Sequence, residues 1–243
     1  MLLLRSLLFQ IYFWVWSLSM NVGHVPLLAF DSQEFVLNAQ RRWARGVLWG
    51  LRVITGTRVE VRSPEHAPTG GALVACKHLS MWETIMLHIA LGRPAFILKR
   101  VLLFVPLYGQ YALRAGMIAV DRSGHASSLR KMVADARSRL ADGRQIVIFP
   151  EGTRRPIGAP PDYKPGVAAL YSQLGAPCVP VALNSGVFWP RKGLVRRPGT
   201  IVIEFLPPIP PGLRRKEFMA QLEGAIESAT AALIAEARHS GTL

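Results

Sequence analysis

The chain has 243 residues, half of them hydrophobic, and 29 lysines and arginines against 15 acidic side chains give it a formal net charge of +14. That length holds one α/β domain with a substantial core. Cys76 and Cys178 form no CxxC or metal-ligand pair, which excludes a disulfide framework and reads as reduced thiols in a cytosolic catalytic domain. Strong basicity joined to an apolar, tryptophan-rich start points to an anionic membrane surface rather than to nucleic acid.

Residues 6–30 carry no Asp, Glu, Lys or Arg, and Tyr12, Phe13, Trp14 and Trp16 crowd the apolar stretch 7–20. A full membrane span needs about 20 apolar residues, and this run qualifies if Arg5 snorkels to the interface. Asn21, Gly23 and His24 interrupt it, and Pro26 breaks any helix there. Two readings stand: one transmembrane helix over 3–22, or a helix–break–helix hairpin lying in one leaflet. No small-x-small site follows at the distance a cleaved signal peptide requires. Phe35, Val36, Ala39, Trp43, Val47 and Leu48 then recur at helical spacing among Arg41, Arg42, Arg45 and Arg52. Such a helix suits an anionic bilayer, and the same pattern describes a core-facing helix with a solvated basic face. The anchoring segment is placed at 1–54 and an α/β domain at 55–243.

Residues 58–62 alternate as a strand, and 63–71 form a loop. The continuous apolar run 71–76 reads as a strand buried on both faces. A helix follows, with Ser80 as its N-cap, Glu83 at the third helical position, and Gly92 with Pro94 ending it. Residues 95–98 are a short strand, after which 101–108, interrupted by Pro106, form either a broken helix or a hydrophobic wall. Residues 116–120 are a strand. The clearest helix is 125–142, with Leu129, Met132, Val133, Ala136 and Leu140 as its buried stripe. The strand 145–149 runs into Pro150-Glu151-Gly152-Thr153-Arg154, and a short helix extends to Leu174 with Gly175 as its cap. Strands 178–183 and 200–205 and a long amphipathic helix 214–238 complete the chain. Pro180 implies an edge strand or a strand start. Strands alternating with helices give an α/β fold around a mostly parallel sheet.

Several chemistries lack their signatures. There is no G-x-S-x-G elbow, P-loop or G-x-G-x-x-G, and the histidine spacing supports no metal site. Cys76, inside an apolar strand, reads as a buried structural thiol, and His88 as a packed core histidine. The candidate chemistry lies at His78 and Glu83. A histidine titrates near neutral pH, and a carboxylate five residues on can fix its tautomer and stabilise its protonated form. Ser80-x-x-Glu83 is also a capping box, so the helix cap and the imidazole compete for one carboxylate.

Three ordered segments carry a resemblance. His78-x4-Glu83, then Gly116-Met117-Ile118-Ala119-Val120-Asp121-Arg122, then Phe149-Pro150-Glu151-Gly152-Thr153-Arg154 resemble the first three motifs of the glycerolipid acyltransferases, and Val179-Pro180-Val181-Ala182 is similar to the last. The family's first motif usually ends in Asp where this chain has Glu83. The resemblance implies transfer of a fatty acyl group from acyl-CoA or acyl carrier protein to the sn-2 hydroxyl of lysophosphatidate, without a metal or other cofactor. His78 is then the general base and Glu83 its orienting acid. Arg122 and Arg154, just past strand ends, hold the acceptor phosphate. Glu151, Gly152 and Thr153 shape the loop or meet the glycerol, and Lys99 and Lys164 face the donor's phosphates. The resemblance further implies an enzyme on the inner membrane, in contact with lipid and with its site facing the cytoplasm. Rival readings are a different acceptor, such as a lyso-aminolipid, or a basic membrane-binding protein without catalysis.

Overall fold

The computed structural model describes residues 1–25, 32–121 and 125–239. Two helices, α1 (Leu2–Gly23) and α2 (Gln33–Gly50), and a π-helical turn, Leu51–Thr55, precede β1 (Thr57–Arg62). Then come β2 (Ala72–Cys76), α3 (Trp82–Ala90), β3 (Pro94–Lys99), a 3₁₀ segment (Arg100–Phe104), α4 (Tyr108–Arg114) and β4 (Ile118–Val120). The remainder is α5 (His125–Ala141), β5 (Gln145–Ile148), α6 (Gly166–Leu174), β6 (Cys178–Leu183), α7 (Ser185–Phe188), β7 (Gly199–Phe205) and α8 (Arg215–His239).

The strands form one sheet in the order β1-β7-β6-β2-β5-β3-β4, parallel throughout except between β6 and β7. Side chains alternate across an extended strand, and this sheet is covered on both faces. In β2, Val74 and Cys76 enter one core with Trp82 and Ile85 of α3, while Leu73 and Ala75 enter another with Met132 of α5, Leu170 of α6 and Ile226 of α8. Double-sided burial explains why β2 is apolar at every position. The expected mostly parallel α/β architecture is what forms.

Helix α1 belongs to the first core. Phe9 and Phe13 are buried against Trp189, Tyr12 Oη donates to Gly46 O, and Trp16 Nε1 donates to Trp43 O. Gly46 and Gly50 let α1 lie directly on α2: a Cβ at either position would overlap the ring of Trp16 or Tyr12. The opposite face of α1 is bare, with Leu4, Leu8, Ile11, Trp14, Val15 and Leu18 exposed.

Two local readings are corrected and one open alternative is settled. Helix α3 starts at Trp82, one residue later than expected, yet the capping contacts of Ser80 and Glu83 both form: Ser80 Oγ accepts from Trp82 N–H and Glu83 Oε1 accepts from Ser80 N–H. Residues 101–108 are a broken helix: the 3₁₀ segment ends at Phe104, Pro106 lies in the gap, and α4 begins at Tyr108 and runs on to Arg114, with Val101, Phe104 and Tyr108 exposed. Pro180 sits in an interior strand, between β2 and β7. The β6–β7 register begins at Val181↔Phe205, so its missing N–H falls where β7 has already ended, and Pro180 O still accepts from Leu206 N–H.

Candidate active site

The parallel strands β2, β3 and β5 end on one edge of the sheet, the edge where ligands gather in open α/β folds. His78 follows β2 there. Its Nδ1 lies 2.9 Å from Glu83 Oε1, and its ring stacks on Phe149, just past β5, at a centroid distance of 4.0 Å. A carboxylate only accepts, so Nδ1 carries the hydrogen and Nε2 keeps its lone pair. The imidazole is 15% exposed and thus reachable, while Glu83 is fully buried.

Glu83 performs both functions that the sequence set in competition. Oε1 accepts from Leu79 N–H at 2.7 Å and Ser80 N–H at 2.6 Å as well as from His78, and Oε2 accepts from Ser185 Oγ at 2.8 Å. Side chains in a first helical turn lean toward the N-terminus, so one carboxylate reaches the loop backbone and the imidazole together. Glu83, one methylene longer than the Asp usual in the motif, thus lies 2.9 Å from His78 Nδ1.

The loop after β5 turns at Gly152, whose φ of 66° lies in the left-handed region that glycine tolerates. It is tied to the histidine segment by Arg155 N–H donating to His78 O at 2.8 Å. Glu151 is buried, with Lys77 Nζ 2.9 Å from its Oε1. Burial pushes its carboxyl upward, and Lys77 opposes that shift. Removing one member of such a buried pair costs about 3–5 kcal/mol by leaving the other charge unpaired. Cys76 is fully buried and its thiol pushed up by burial and by Glu83, so it is no nucleophile. Among the described residues no group of three or more His, Cys, Asp or Glu side chains could hold a metal.

The acyltransferase family model matches residues 58–184, a span holding every motif residue discussed above. The chain belongs to the acyltransferase family. It is 34% identical to the 1-acyl-sn-glycerol-3-phosphate acyltransferase of Pseudomonas aeruginosa, over 82% of this chain and 78% of that one. It is 29% identical to the 1-acyl-sn-glycerol-3-phosphate acyltransferase alpha of Homo sapiens, over 80% and 69% respectively. The crystal structure of the 1-acyl-sn-glycerophosphate acyltransferase of Thermotoga maritima matches it with a TM-score of 0.80 over 96% of this chain and 98% of that one, at 21% identity. That last likeness establishes the fold.

In this acyltransferase His78, Glu83, Glu151, Gly152, Thr153 and Arg154 come together at the edge formed by β2 and β5. Arg154 is half-buried and makes no hydrogen bond or ion pair with a described residue. Lys99 is exposed at the end of β3. The ammonium of Lys164 is occupied by Asp162 at 2.7 Å. Arg122 lies outside the described residues. Sequence reasoning missed Ser185, Lys77 and Arg155. Ser185 lies two residues past the end of β6, and that place beyond a strand end is the one available signal. Lys77 was overshadowed by its neighbour His78.

Proposed function

We propose that this acyltransferase moves a fatty acyl group from an acyl thioester to the sn-2 hydroxyl of 1-acyl-glycerol 3-phosphate, giving phosphatidic acid. The observation that carries the reading is the His78–Glu83 pair, Nδ1 held by a buried carboxylate and Nε2 left available, beside a loop that presents Arg154. His78 Nε2 takes the proton of the acceptor hydroxyl as that oxygen attacks the thioester carbonyl. The C–S bond then breaks, and the departing sulfur receives the proton from the imidazolium. A base positioned in this way contributes about 10²- to 10⁴-fold. Glu83 orients the ring and stabilises its charge, as the acid of a catalytic triad does. The nucleophile belongs to the substrate, so no acyl-enzyme forms.

Arg154, together with Arg122, supplies cations for the acceptor phosphate, and Lys99 stands where a donor's phosphates pass. Lys164 is a weaker candidate because Asp162 already neutralises it. The names of the relatives support a lysophosphatidate acceptor, and the donor is either acyl-CoA or acyl carrier protein.

The membrane is met through α1, which is long and apolar enough to cross a bilayer. Ser6, Phe9, Tyr12, Phe13 and Trp16 are engaged with α2 and with the segment around Trp189 and Arg196. A transverse α1 would draw that polar segment into hydrocarbon, where unsatisfied backbone groups are costly. We therefore favour α1 lying in one leaflet with its bare face toward the acyl chains, on the inner membrane with the site facing the cytoplasm.

One assay tests the reading: acyl-CoA and acyl carrier protein donors crossed with lysophosphatidate, glycerol 3-phosphate and a lyso-aminolipid. Turnover greatest with lysophosphatidate is expected. Faster turnover of the lyso-aminolipid would overturn the acceptor assignment.

A further inference from the structure

Lys77 is a buried cation that the reaction chemistry leaves unused. Its Nζ lies 2.9 Å from Glu151 Oε1 and 2.6 Å from Glu227 Oε1, and its side chain is only 4% exposed. The contacts join three distant pieces of chain: the end of β2, the loop after β5, and α8. Glu227 also accepts from Tyr163 Oη at 2.9 Å.

Strand alternation decides what this cluster does. Lys77 continues the face of Leu73 and Ala75, which is covered by α5, α6 and α8, whereas His78 leaves on the face of Val74 and Cys76, toward α3. The Lys77–His78 peptide is therefore gripped from both sides of the sheet. Glu83 holds the imidazole from one side, and Glu151 with Glu227 holds the ammonium from the other. Lys77 N–H, donating to Val181 O at 3.0 Å, and Arg155 N–H, donating to His78 O, fix the backbone between them.

Stability does not account for such a cluster. Well-packed apolar side chains of similar volume in place of a buried ion pair are often as stable or more so. The ionic contacts instead specify direction and distance. We propose that Lys77 and Glu227 are positioning residues for acyl transfer, so that α8, which contributes no group to the reacting atoms, sets the placement of His78 against the loop carrying Glu151 and Arg154. The inference rests on His78 acting as the base. A misplacement of about 1 Å at a reacting group costs on the order of 10²-fold in rate.

The test uses the full chain in lipid–detergent micelles, assayed below the melting temperature of each variant. Glu227→Ala is the main variant, since its partly exposed carboxylate can be removed without emptying the core; Lys77→Met and Lys77→Arg accompany it. Glu236→Ala is the control, because Glu236 lies on the same helix as Glu227 and its removal breaks a surface pair with Arg62 of β1. Expected are a kcat roughly 10- to 100-fold lower for Glu227→Ala with acceptor KM within about twofold, an equal or larger loss for Lys77→Met, partial recovery with Lys77→Arg, and wild-type kcat for Glu236→Ala. A folded Glu227→Ala enzyme with wild-type kcat would overturn the inference, as would a kcat loss no greater than its loss of folded protein. A wild-type chain that transfers no acyl group to any acceptor removes the functional reading and the inference together; wild-type turnover beside an unaffected Glu227→Ala removes only the inference.

Discussion

Glu83 Oε1 lies 2.9 Å from His78 Nδ1 and in the same position accepts the N–H groups of Leu79 and Ser80. One oxygen atom thus ties the backbone leading into α3 to the orientation of the base. The ring cannot turn away without breaking its bond to a carboxylate that the helix itself holds in place. Preorganisation of this kind avoids reorganising the base at the moment of attack.

The pair should separate by mutation into chemistry and support. His78→Ala should lower acyl transfer by about 10²- to 10⁴-fold, far more than any loss of folded protein measured by thermal melting. Glu83→Asp, which keeps the charge, should retain more kcat than Glu83→Gln, which keeps the length and most of the hydrogen bonds. The reverse order in steady-state kinetics would contradict the charge role.

Arg154 stands at the site with no carboxylate partner among the described residues, so its loss should be felt by the substrate rather than by the fold. Charge-assisted hydrogen bonds contribute about 1.5–3 kcal/mol, which corresponds to a rise in acceptor KM of roughly tenfold or more for Arg154→Ala. Arg122→Ala should behave alike. The melting curve of Arg154→Ala should match the parent. An unchanged acceptor KM for both variants would remove the phosphate role.

What was legible in the sequence was what local chain geometry encodes. His78 and Glu83 are five residues apart, and the Phe149-Pro150-Glu151-Gly152 turn follows directly on its strand, so both could be placed before any tertiary contact was known. Ser185 meets Glu83 across 102 residues and Lys77 meets Glu227 across 150. On the sequence Glu227 is one more acid on the polar face of an amphipathic helix. Helix α4, only seven residues long and bounded by Pro106, gave too short a pattern for periodicity to register. Helix α1 is apolar all round because one face meets the protein core and the other is bare. A pattern of hydrophobicity alone cannot divide those two faces.

That division of α1 makes a prediction about membrane binding. Ile11 and Leu18 are 62% and 63% exposed on the bare face. Ile11→Ser with Leu18→Ser should weaken partition onto vesicles of anionic phospholipid by about tenfold or more, since each apolar side chain removed from water contributes about 1.5–3 kcal/mol when fully buried. Folding should be unaffected. Substitution of Phe9 or Phe13, which face Trp189, should instead destabilise the domain. Sedimentation with vesicles and thermal melting distinguish the two faces, and equal vesicle binding by the double variant would contradict the bare-face reading.

A last prediction concerns acid sensitivity. His88 packs against Phe96 at a centroid distance of 4.7 Å, and burial, assisted by the nearby Arg41 charge, pushes its pKa down to about 4. An unfolded histidine titrates near 6.5, so between about pH 4 and 6.5 the unfolded chain binds the extra proton and the folded one does not. Stability therefore rises with pH across that window, and the His88 contribution is fully present only above it. In His88→Gln the dependence of the melting temperature on pH from 4 to 6.5 should be shallower than in the parent, the two curves running parallel above pH 7. Carboxylates elsewhere titrate in both proteins and cancel in the difference. A difference curve that stays flat through the window would mean that His88 does not resist protonation in the fold.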